Sequence, residues 1–143
     1  MNFDGELLYI QNEYSLLYKP FCTKAGVSIM CGDYTSLDTM QETGIVAHIS
    51  GYSPKNSWVE KSMNVPTARS GHLIAHFDKS ITNGMGIDYD RYWETYYDKE
   101  KQYICIGDDD TKGDDDCVEF ANNVIAVIRE GALIAVWAKI KEV

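Results

Sequence analysis

An α+β fold, a predominantly antiparallel β-sheet with one or two short helices, is the class this chain predicts. Three observations carry the expectation. Short runs rich in Val, Ile, Tyr and Trp recur along the sequence between Gly, Asn and Asp turn residues. Only one stretch, "SPKNSWVEKSMNVP", carries both a helix start and a helix stop. The 143 residues are 45% apolar with no Ser/Gly/Pro linker, so one domain over 1–143 is expected.

Taken in order, "GELLYI" and "YSLLYK" form a hairpin around the polar "QNE", and "AGVSIMCG" is a third strand closing at Gly32. "DYTSLDTMQETG" is polar throughout and reads as a loop with room for one helical turn. "GIVAHISGY" is a strand by its β-branched content. A short helix is expected from about Pro54 to Met63. There Ser53 would cap, Pro54 would take the first position, Pro66 would end the segment and Trp58 would anchor it in the core.

"SGHLIAHFD" alternates, with His72, Ile74 and His76 on one face and Leu73, Ala75 and Phe77 on the other. "SITNGMGIDYD" reads as a loop, and "RYWETYY" and "KQYICIG" as a second hairpin around "DKE". In "FANNVIAVIREGALIAVW" the apolar residues are too continuous for clean alternation. A helix over 119–130 therefore stays open beside the favoured reading, two strands with a tight turn at Glu130-Gly131.

The net charge of -9 is concentrated. Between Asp78 and Glu119, 13 acids face 5 bases, and the rest of the chain is close to neutral. That sign disfavours nucleic acid phosphates and favours a basic protein. No stretch approaches the ~18 apolar residues of a membrane helix, and the acidic N-terminal residues do not read as a secretory leader. A cytoplasmic protein with no membrane partner is expected. Its four cysteines, Cys22, Cys31, Cys105 and Cys117, lack zinc-ligand spacing and are expected to be free thiols.

The most distinctive stretch is "IGDDDTKGDDDCVEF". Counted from Asp108, an EF-hand loop would place acids at Asp108, Asp110, Asp116 and Glu119 and a turn glycine at Gly113. Lys112 would then stand where an oxygen ligand belongs, and the preceding "KQYICIG" reads as a strand where a helix is required. The run also reads as a solvated turn. The third reading is a docking surface for a cationic partner, made by Asp108, Asp109, Asp110, Asp114, Asp115, Asp116 and Glu119. Its aromatic anchors would be Tyr92, Trp93, Tyr96 and Tyr97, one face of whose strand belongs to the core.

Catalytic signatures fail one by one. His48, His72 and His76 lack HExxH or a cysteine pair, no nucleophile elbow occurs, and Gly84 and Gly86 lack the third glycine of a dinucleotide loop. A non-enzyme without cofactor or metal is expected. The alternatives are a calcium-binding or small-molecule-binding β-rich module, the latter with the three histidines around its pocket.

The segments "KNSWVEKSM", "SGHLIAHF" and "RYWETYYDKEKQYICIG", spanning Lys55 to Gly107, together with the negative charge, resemble bacterial immunity proteins of contact-dependent growth inhibition and related polymorphic toxin systems. The apolar, Trp-bearing "FANNVIAVIREGALIAVWAKI" has the same look. The resemblance implies a protein that binds one cognate toxin domain, often a basic nuclease, and occludes it.

Overall fold

A computed structural model describes residues 4–21, 24–31, 34–76, 86–88 and 93–143. Its strands in chain order are β1 (Glu6–Ile10), β2 (Ser15–Lys19), β3 (Ala25–Met30), β4 (Thr35–Met40) and β5 (Val46–Tyr52). The short β6 (Val59–Glu60), β7 (Arg69–Ser70) and β8 (Gly86–Asp88) follow. After them come β9 (Thr95–Asp98), β10 (Tyr103–Gly107), β11 (Asp116–Ala121), β12 (Val124–Arg129) and β13 (Ala132–Glu142).

The structure is almost all β, a curled mixed sheet, and this corrects the expected α+β class. Among the described residues there is no α-helix, only single 3-10 turns at Gln11–Glu13 and Lys55–Ser57. The sheet is not purely antiparallel either. β1 runs parallel to β13, β3 to β8, β6 to β9 and β7 to β11.

The helix expected from Pro54 fails because tertiary contacts claim its residues. After one 3-10 turn, Trp58 is already extended at φ -74° and ψ 146°. Its indole sits 4.8 Å from the Tyr9 ring and 5.2 Å from that of Tyr97, and its Nε1 donates to Ser53 Oγ at 2.9 Å. Val59 and Glu60 then pair with Tyr96 and Tyr97. Local capping signals lose to this packing.

The expected loop after Gly32 is corrected too, since Thr35–Met40 is a central strand between β3 and β5. Its polar residues are buried but satisfied. Asp38 accepts from Ser28 Oγ at 3.1 Å, Ser36 Oγ at 3.0 Å and Ser50 Oγ at 2.5 Å, and lies 3.2 Å from His48 Nδ1. Burial raises the Asp38 pKa, but the hydrogen bonds from His48, Ser50 and Ser36 outweigh it and hold the carboxyl below its ordinary value.

β13 is the branching strand. The Lys139 amide turns to Asn123 beside β12, the Ile140 amide to Gln102 beside β10, and the Val143 amide to Tyr9 in β1. Alternating amides face opposite edges, so β1 takes over the edge that β12 leaves. The curl is closed by residues 69–75. These pair with β11 at Arg69 and Ser70, then reach β5, where Val46 donates to the Leu73 carbonyl and Ile45 bridges Ile74. Along this segment His72, Ile74 and His76 are exposed, and Leu73 and Ala75 half-buried, the alternation expected from sequence; Phe77 lies outside the described residues.

Both faces of the β10–β13 region are buried. Ile104, Ile106, Val124, Ala126, Val136 and Ala138 fill the interior of the curl. Cys105, Ile125, Val127 and Trp137 face outward under Met63, Val65 and Ala68. Residues 61–68 form a strap over this outer face, fixed where Asp98 Oδ2 accepts the Met63 amide at 2.9 Å and Lys101 Nζ donates to the Met63 carbonyl. A strand covered on both sides needs no polar face. That resolves the 119–130 ambiguity as strand, with Glu130 at φ 51° and Gly131 at φ 79° forming the tight turn.

Candidate functional site: a clamped acidic loop

The acidic run connects β10 to β11. Its root is Gly107, at φ 112°, a conformation that L side chains rarely adopt. A Cβ there would stand 2.4 Å from the Ile134 carbonyl and 2.9 Å from the Trp93 ring. The Gly107 amide donates to Glu94 O at 2.9 Å, and the Asp108 amide to Ile134 O at 3.0 Å.

Beyond the root the loop is organised by cations. Arg129, at the end of β12, grips both oxygens of Asp115, with Nε 2.8 Å from Oδ1 and Nη2 2.7 Å from Oδ2. Its Nη1 reaches Asp108 at 3.1 Å and its Nη2 the Asp110 carbonyl at 3.1 Å. Asp115 Oδ2 also accepts the Lys112 amide at 2.8 Å, and Asp108 Oδ1 the Asp110 amide at 2.9 Å. Lys112 Nζ lies 2.5 Å from Asp110, Lys61 Nζ 2.7 Å from Asp109, and Arg69 pairs with both oxygens of Asp116 at 3.0 Å.

These contacts set the titration of the loop. The Arg129 guanidinium pulls Asp115 down to about 2 and is itself raised by that carboxylate. Lys112 lowers Asp110 and Arg69 lowers Asp116. Burial pushes up the thiols of Cys105 and Cys117, and that of Cys31 to about 12, so these free cysteines stay protonated and unreactive. Cys22 lies outside the described residues.

Several expected site residues need correction. Trp93 and Tyr97 are interior side chains, 6% and 2% exposed, and cannot anchor a partner. Tyr96 is half-buried on the outer face, with Lys61 Nζ 5.1 Å above its ring. Tyr92 lies outside the described residues. Glu119 accepts the Asn123 amide at 2.8 Å and shapes the turn between β11 and β12. Of the six aspartates, Asp114 alone is exposed with no partner among the described residues. Sequence reading missed Lys61 and Arg69, at the two ends of the strap, and Arg129 at the end of β12, because no spacing signal joins them to the acidic run.

For calcium, the would-be ligands Asp108, Asp110 and Asp116 already hold Arg129, Lys112 and Arg69, and Gly113 has open space where its Cβ would be. Among the described residues no group of three His, Cys, Asp or Glu could hold a metal ion. His48 is buried while His72 and His76 are exposed, so the three do not line one interior pocket. No helix among the described residues is long and apolar enough to cross a membrane.

What remains open is a cleft of about 400 Å³ between the loop and the strap, walled by Asp109, Asp110, Asp115 and Gly113 on one side and by Val65 and Pro66 on the other. Counting Lys61, Arg69, Lys112 and Arg129 against the seven acids of 108–119 leaves a local excess of three negative charges.

Fold and site together define a curled β-sheet protein with a cation-clamped acidic rim. No protein-family model matches the chain, and no curated protein matches its sequence.

Proposed function

We propose that this is a non-enzymatic binding protein that docks a basic protein partner at the acidic rim, in the manner of an immunity protein occluding its cognate toxin domain. The observation that carries the reading is the Arg129 clamp on Asp108, Asp110 and Asp115. A loop merely kept wet by mutual repulsion needs no such clamp. A preorganised rim loses little conformational freedom on binding, and its residual negative charge steers a cationic surface toward it. The cleft beside the strap is large enough to receive a Lys or Arg side chain of the partner.

The test reads the neighbouring reading frame for a secreted protein with a basic C-terminal domain, then follows association with that domain by stopped flow across rising salt. The wild-type rate should fall with salt, and Asp114→Ser should slow association about threefold while leaving the melting temperature unchanged. A salt-independent rate, identical in the variant, would remove the rim from the interface.

A further inference from the structure

Outside the acidic rim, three tyrosines stand exposed in a row. Tyr14, Tyr34 and Tyr52 are 49%, 64% and 45% exposed. The Tyr52 ring lies between the others, 6.1 Å from Tyr14 at 79° and 5.7 Å from Tyr34 at 77°. The row is fixed by backbone. The Tyr52 amide donates to Tyr34 O at 3.1 Å and the next amide, Ser53, to Tyr14 O at 2.6 Å. Gly51 allows the approach, since a Cβ there would stand 2.2 Å from Tyr34 O.

Tyr34 and Tyr52 also form one wall of a cleft of about 190 Å³, which Pro54, Trp93, Glu94 and Cys31 help to line. Among the described residues no cation lines it, and Glu94 makes no ion pair. Glu13, beside Tyr14, is exposed as well. Lys55 follows Pro54 but is turned to Glu142 and over the Tyr97 ring.

We infer that this tyrosine cleft binds an extended peptide segment carrying proline next to arginine. Ring geometry and charge select that occupant together. Rings set nearly perpendicular leave notches between them instead of the flat coplanar platform on which a sugar stacks. A proline ring fills such a notch, and its missing N–H leaves no donor stranded against the aromatic wall. Arginine stacks on a tyrosine face while pairing with Glu94. Glu13, Glu94 and the net charge of -9 repel a nucleic acid backbone. The inference does not rest on the acidic rim, because no aspartate of the 108–116 loop lines this cleft.

Fluorescence anisotropy with a fluorescein-labelled peptide of two Pro-Pro-Arg repeats tests it on the full chain. Saturable binding is expected, weakened about tenfold by Tyr52→Ala and about fivefold by Glu94→Gln, and unchanged by Asp114→Ser. Tyr34→Ala, at the most exposed ring, serves as a second variant should Tyr52→Ala melt early. Replacing the peptide arginines by glutamate should abolish binding. Failure of the arginine peptide to saturate, or equal affinity in both tyrosine variants and wild type, overturns the inference. Binding of cellohexaose or oligothymidylate in place of the peptide overturns it too.

Discussion

Arg129 and Asp115 meet through two parallel hydrogen bonds, 2.8 and 2.7 Å long, and the Asp115 side chain is fully covered. A charged loop is thereby tied to the end of β12 by a single guanidinium, and most behaviour of the acidic rim follows from that tie. Asp115 and Asp116 are structural partners of Arg129 and Arg69, so Asp114 is the position where charge is removed without disturbing the loop.

Arg129→Met should release the loop. The covered Asp115 carboxylate loses its cation and keeps only the Lys112 amide, and Asp108 and the Asp110 carbonyl lose the same guanidinium. Hydrogen exchange of amides 108–116 should quicken about tenfold, with the β12–β13 ladder little changed. Arg129→Lys should rescue it only in part, because an ammonium cannot make the paired fork. Unchanged exchange in both variants would show the clamp to be idle.

Acid should open the same contact within a defined window. The folded Asp115 value of about 2 lies below that of an unfolded aspartate, about 3.9. Its contribution is therefore complete above about pH 4 and is lost as the pH falls toward about 2. Melting temperatures of wild type should drop across that window, and Asp115→Asn should flatten the drop.

Two glycines of one region should behave oppositely. Gly107→Ala forces a Cβ against the Ile134 carbonyl and the Trp93 ring at positive φ, and should cost about 1–3 kcal/mol in urea unfolding. Gly113→Ala meets nothing within 4 Å and should stay within about 0.5 kcal/mol of wild type.

Asp38→Ala should rank among the most damaging single changes. It takes the shared acceptor from buried Ser36, half-buried Ser28 and Ser50, and the buried His48 ring, and should cost about 3 kcal/mol. Equilibrium unfolding measures the loss; a change under about 1 kcal/mol would mean that water replaces the carboxylate.

Strand content was legible wherever side chains alone decide it. The β1–β2 and β9–β10 hairpins and the alternation of 71–76 follow from local pattern. Two readings failed because the deciding partner is remote. β4 looked like a loop because Ser28, His48 and Ser50, which make its Asp38 tolerable, sit on neighbouring strands. The Pro54 helix looked sound until Tyr9, Tyr97 and Ser53 captured Trp58. The acidic run was visible as charge, but its cations come from Lys61, Arg69 and Arg129. The tyrosine row has no signature in sequence because its rings belong to three separate segments.

The parallel pairing of Leu7 with Ile140 has a consequence for biogenesis. During synthesis β1 finds β2 at once, yet its other edge stays bare until β13 has cleared the ribosome exit tunnel. A nascent chain holding an open, apolar edge for that long is a natural client for holding chaperones, and dilute refolding should outperform concentrated refolding for the same reason.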